Sequence, residues 1–158
     1  MKRTKLDDRV LPVYTKGEEI FNMVTHIVGG AMGIAALVLC IIFCHDGYGL
    51  FSGIVYGISM ILLYTMSAIY HGLSPKLKAK KVFQIMDHCS IFVLIAGTYT
   101  PVLLCSIKRS WMLKWAWILF AVIWIMTVIG ITLNAIDIKK ISNFFNDLLF
   151  SDGLVYYF

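Results

Sequence analysis

IFNMVTHIVGGAMGIAALVLCIIFC, the stretch from Ile20 to Cys44, contains no charged residue. A helix rising ~1.5 Å per residue needs ~20 apolar residues to cross ~30 Å of hydrocarbon, so this stretch is long enough to span a bilayer. Three more charge-free runs follow, Gly47 to Tyr70, His88 to Ile107 and Trp115 to Ile136, joined by short polar links. The fold expected is all-α, a polytopic transmembrane helix bundle. The ionisable or strongly polar residues that approach these runs are Glu19, Asn22, His26, Ser67, His71, Asp87 and His88. They call for explanation, because such groups are costly in a bilayer unless they serve a site.

Composition agrees: of 158 residues, 59% are hydrophobic and only 15% charged, which does not describe a soluble domain. No cleavable signal peptide is visible, because Lys2, Arg3 and Lys5 are not followed at once by a short apolar core and a cleavage site. The net charge of +5 follows membrane topology and is not read as a nucleic-acid surface. Eleven basic residues, Lys2, Arg3, Lys5, Arg9, Lys16, Lys76, Lys78, Lys80, Lys81, Lys139 and Lys140, fall on one side of the expected helices, and only Lys108, Arg109 and Lys114 on the other. The positive-inside bias places the N-terminus in the cytoplasm and the protein in the cell membrane, with these charges as a solvated flanking face. Membrane lipids are the expected surroundings; self-association into a homo-oligomer stays open.

Along the chain, residues 1–17 read as a polar cytoplasmic leader in which Pro12 and Gly17 discourage regular structure. Residues 18–141 form the bundle, with spans over about 20–44, 48–71, 82–105 and 111–136. Glu18 and Glu19 open the first helix, where carboxylates suit the positive end of the dipole. His45 to Gly49 is an outer turn, Gly72 to Lys81 an inner link, and Pro101 is expected to bend the third helix. Trp111, Trp115 and Trp117 suit the outer interface. Residues 142–158 are interrupted by Asp147, Asp152 and Gly153 and read as a partial fifth span, as though the sequence were truncated or altered there.

This alternation has a consequence for chemistry. Glu19, Asn22 and His26 begin an outward helix, Ser67 and His71 end an inward one, and Asp87 and His88 begin the next, so all seven belong at the cytoplasmic ends of three helices. The spacings i, i+3, i+7 in the first group and i, i+4 in the second put each on one helix face. A neutral imidazole there can ligate zinc, and a nearby hydroxyl and carboxylate can hold and deprotonate a bound water. Histidines that merely hydrogen-bond at helix ends remain the alternative. Gly29, Gly30 and Gly33 suggest close helix packing. Cys40, Cys44 and Cys105 are read as small apolar helix residues, although a disulfide on an oxidising face is conceivable.

The series Glu19-x-x-Asn22-x-x-x-His26, Ser67-x-x-x-His71, Asp87-His88 and Ala96-Gly97-Thr98-Tyr99-Thr100-Pro101 resembles the bacterial hemolysin III family, the prokaryotic branch of the progestin and adipoQ receptors. The resemblance runs from about Glu18 to about Lys140 and implies a seven-helix fold, of which this chain holds about four full spans and part of a fifth. The resemblance implies a relation to the adiponectin receptors and, more distantly, to alkaline ceramidases, which hold zinc with three histidines. Carried over by motif, His71 is a zinc ligand, with Ser67 and Asp87 as the catalytic pair beside the bound water. Glu19, Asn22, His26 and His88 complete the polar cluster without an assigned role. The family's His-x-x-x-His motif is absent, since no histidine follows His88, so the zinc site is expected to be incomplete and this polypeptide inactive by itself. Three readings follow: a zinc-dependent membrane hydrolase of lipid amides or esters, a cytolytic pore-forming protein, and a non-enzymatic receptor or membrane-homeostasis protein.

Overall fold

A computed structural model describes residues 5–106 and 112–136. It contains four long helices, α1 (Lys16–Phe43), α2 (Gly47–Gly72), α3 (Lys78–Ser106) and α4 (Leu113–Ile136), and no strand among the described residues. All four are long and apolar enough to cross a membrane.

The first two helices begin where a polar side chain satisfies a first-turn amide. Thr15 caps α1 through a capping box: Thr15 Oγ1 accepts from the Glu18 amide at 3.3 Å, and Glu18 Oε2 accepts from the Thr15 amide at 2.7 Å. The helix therefore starts two residues before Glu18 and takes in Gly17. Asp46 caps α2, its carboxylate accepting from the Gly49 amide at 3.1 Å. The link from α2 to α3 is shorter than the sequence suggests, because Lys78, Lys80 and Lys81 belong to α3. Lysine is a good helix former, and its charge alone does not mark a loop.

The helices pack in chain order, α1 on α2, α2 on α3 and α3 on α4, as a row that leaves Ile20, Phe21, Val24, Ile27 and Val28 of α1 exposed. Small residues permit the close approaches. A Cβ added at Gly29 would lie 2.7 Å from the Tyr64 ring, and one at Gly33 would lie 3.1 Å from Met60 Cβ. On the α2–α3 seam, a Cβ at Gly97 would collide with the Ser59 hydroxyl. Between α3 and α4 the Thr127 hydroxyl donates to the Phe92 carbonyl at 3.3 Å, and Asn134 Nδ2 donates to Cys89 Sγ at 3.4 Å. All four cysteines are free thiols, as their reading as apolar helix residues requires. Pro101 lies inside α3, where it supplies no amide for the Gly97 carbonyl. Trp115 and Trp117 are exposed at the start of α4, and Trp117 faces Tyr48 with ring centroids 6.3 Å apart. Trp111 and residues 142–158 lie outside the described residues.

The leader departs from its reading as an unstructured, solvated segment. Leu6–Asp8 form a 3-10 turn, and Lys81 Nζ donates to the Asp7 carbonyl at 2.7 Å. Arg9 is buried and donates to the Ala135 carbonyl near the end of α4 at 2.8 Å. A guanidinium is a natural partner for the last carbonyls of a helix. The leader thus crosses the end of the bundle from α4 toward α1, and Arg9 is no part of a solvated basic face.

Candidate functional site

The start of α1, the end of α2 and the start of α3 meet at one end of the bundle. There Glu19 of α1 bridges two basic groups: its Oε2 lies 2.7 Å from His71 Nδ1 of α2, and its Oε1 accepts from Lys80 Nζ of α3 at 2.6 Å. Lys80 Nζ also donates to the Leu73 carbonyl at 2.9 Å and sits 5.1 Å from the Tyr70 ring centroid. Side-chain exposure is 2% for Lys80, 7% for His71 and 16% for Glu19, so the charges meet largely out of water. Burial of this kind strengthens each interaction and makes an unpaired member costly.

Around this core, the His26 ring lies 5.8 Å from that of His71 and 5.9 Å from that of Tyr64. The Tyr14 ring of the leader approaches His71 edge-on at 5.6 Å. Two buried polar atoms, His26 Nδ1 and Tyr70 Oη, have no hydrogen-bond partner among the described residues. A cavity of about 470 Å³ opens against the cluster, with Glu19, His71 and Lys80 on its polar side and Ile20, Met23 and Pro75 among its apolar lining.

Of the residues singled out from sequence, Glu19, His26 and His71 are brought together. Ser67 is buried one turn before His71 on α2. Asp87 is largely buried, its side chain 15% exposed, with His88 Nδ1 3.9 Å from its carboxylate. Asn22 is half-buried one turn beyond Glu19. His88 turns away: its Nδ1 donates to the Gln84 carbonyl of its own helix at 2.7 Å, and its side chain is 41% exposed.

Lys80, Tyr70 and Tyr14 are the participants that the sequence reading passed over. Lys80 sits among four lysines of similar appearance, Lys76, Lys78, Lys80 and Lys81, all read there as solvated. A signal was present once α3 is begun at Lys78: Lys80, Gln84 and Asp87 recur at i, i+4, i+7, one face of a helix, and the first two are buried at 1% and 5% exposure.

Zinc can be tested against these residues. A metal-ligating imidazole commonly donates its second N–H to a carboxylate. His71 faces Glu19 through Nδ1 in this way, which leaves Nε2 for a metal. Among the described residues, however, no group of three or more His, Cys, Asp or Glu side chains is gathered closely enough to hold a metal ion. His71 fits one ligand position, and the described residues do not complete the set.

Four helices long and apolar enough to cross a bilayer, with ionisable groups gathered at one end, define a multi-pass membrane protein with a polar cluster at that end of the bundle. The chain belongs to the family described as haemolysin-III related, which matches residues 14–153. It is 37% identical over 131 residues to the hemolysin-3 homolog of Bacillus subtilis (strain 168), covering 81% of this chain and 59% of that protein. It is 38% identical over 127 residues to hemolysin-3 of Bacillus cereus, covering 78% of this chain and 55% of that protein. The chain thus spans somewhat more than half the length of these curated relatives. No solved structure matches it.

Proposed function

We propose that the protein contributes to a zinc-dependent hydrolase of lipid amides or esters, with His71 as one metal ligand at the cytoplasmic ends of α1, α2 and α3. The observation that carries this reading is the 2.7 Å contact from His71 Nδ1 to Glu19, beside a mainly apolar cavity, which occupies Nδ1 and not Nε2. The described residues do not complete the ligand set, so the reading requires further donors beyond His71. A zinc ion held there, with His71 as one ligand, would supply Lewis-acid activation of a water. The chain's own residues do the rest. His71 holds its ring fixed against Glu19. Asp87 takes up the proton of an attacking water, and the buried Ser67 hydroxyl orients it. The apolar lining receives the lipid chain beside its polar linkage.

Zinc content by elemental analysis after detergent purification tests the reading. The 158-residue chain retains well under one zinc per molecule; a chain extended with the part of the Bacillus subtilis relative that it does not span retains about one, lost on His71→Ala. Zinc undiminished in the extended His71→Ala protein sinks the proposal.

The name hemolysin-3, borne by the Bacillus cereus relative, motivates a second reading, cytolysis. A wetted path through the bundle finds little support, because the mid-bundle hydroxyls of Ser59, Thr100 and Thr127 donate to helix carbonyls. Dye release from vesicles on adding the purified protein, undiminished in His71→Ala, would favour cytolysis over hydrolysis.

A further inference from the structure

We infer that Lys80 is a positioning residue that, through Glu19, fixes which nitrogen of His71 carries the proton. The inference rests on the reading of His71 as a ligand, because it concerns the lone pair a ligand must offer.

A lysine ammonium has three N–H donors and no acceptor. One donor of Lys80 goes to Glu19 Oε1 at 2.6 Å, another to the Leu73 carbonyl at the end of α2 at 2.9 Å, and the charge lies 5.1 Å from the Tyr70 ring centroid. Nothing else in the structure explains a lysine at 1% exposure. A buried ion pair adds little stability over apolar side chains of the same shape, so its use is better sought in the geometry it specifies.

That geometry divides the two oxygens of Glu19. Lys80 takes Oε1, and Oε2 is left facing His71 Nδ1 at 2.7 Å. An ionised carboxylate only accepts, so Nδ1 must donate and the neutral ring keeps its lone pair on Nε2. Glu19 alone could swing on its flexible side chain. Lys80 prevents this by tying the carboxylate to the carbonyl that closes α2, so that three helices fix one imidazole. Tyr70, next to His71 in sequence, gives the ammonium its apolar wall.

The arrangement makes a prediction that a merely structural salt bridge does not. In Glu19→Gln the side chain has one acceptor oxygen and one amide nitrogen. Lys80 can bind only the oxygen, so the amide nitrogen is turned toward His71 and Nδ1 must accept. The proton therefore moves to Nε2. If Lys80 makes this choice, Glu19→Gln with Lys80→Met frees the amide to turn its oxygen back, and the Nδ1–H form returns.

The readout is two-bond proton–nitrogen NMR on the full chain labelled at histidine, metal-free in detergent at mildly alkaline pH. His71 is identified by the signals lost in His71→Ala. The wild type and Lys80→Arg are expected in the Nδ1–H form. Glu19→Gln is expected to shift the tautomer ratio at least about tenfold toward Nε2–H, since hydrogen bonds to charged groups are the stronger kind. The double variant reverses that shift. A wild-type His71 that is Nε2–H or doubly protonated overturns the inference, and that measurement needs no variant to fold. An unshifted Glu19→Gln, or a double variant that stays Nε2–H, overturns it as well. Because no metal is present, the result is separate from the zinc reading: a fixed Nδ1–H ring in a protein whose zinc is indifferent to His71→Ala would remove the ligand role and leave the positioning role standing.

Discussion

A lysine ammonium at 1% exposure is tolerable only while its partners remain. Glu19→Leu removes the carboxylate and leaves Lys80 buried with one carbonyl and a ring, and a buried charge stripped of its partner costs about 3–5 kcal/mol. Replacing both members, Glu19→Leu with Lys80→Met, removes the stranded charge together with the pair. The double variant is then expected within about 1 kcal/mol of the wild type, because apolar residues of similar volume replace buried ion pairs at little cost. Unfolding in mixed micelles, followed by helical circular dichroism, gives the cycle. Additive losses from the two single changes would mean that Glu19 and Lys80 are not coupled and that their contact is incidental.

That long apolar helices would form was legible from the four charge-free runs, each of which lies within or overlaps one of the four helices among the described residues. Their polar ends were harder to read. Thr15-Lys16-Gly17-Glu18 carries a capping-box spacing, yet the acidic pair Glu18 and Glu19 drew the start of α1 too late. Thr15→Ala breaks that box and is expected to cost about 1 kcal/mol, visible as faster amide exchange at Glu18 and Glu19. Unchanged exchange would show that tertiary packing holds the first turn instead. The convergence of Glu19, His26 and His71 was legible from helix alternation and face spacing. The partnership of Lys80 was not, since it depends on where α3 begins and on a backbone carbonyl, Leu73, that no residue type announces. Arg9 and Ala135, 126 positions apart, meet through another such carbonyl. The glycine reading also carries a test. Gly97→Val drives a side chain into Ser59 across the α2–α3 seam and is expected to destabilise by about 1–3 kcal/mol in the same micelle assay, as overpacking does. Ser59→Ala in that background should recover part of the loss, and no recovery would place the strain elsewhere.

At the scale of the whole molecule, the site exists because successive helices alternate in direction, which brings the start of α1, the end of α2 and the start of α3 to one side of the bilayer. Alternation fixes that these ends coincide; it does not fix which face of the membrane they occupy. Basic residues decide that face, because lysine and arginine near short loops are retained on the cytoplasmic side. The sequence pattern leads to the expectation of eleven on the site side and three on the other. Arg9 and Lys80 are buried, and without them the expected bias keeps its sense, nine against three. A reporter fused after Lys81 is therefore expected to read cytoplasmic and one fused after Gly47 external. The opposite pattern would turn the cavity toward the outside while leaving Glu19, His71 and Lys80 together, so the experiment separates the orientation of the site from its construction.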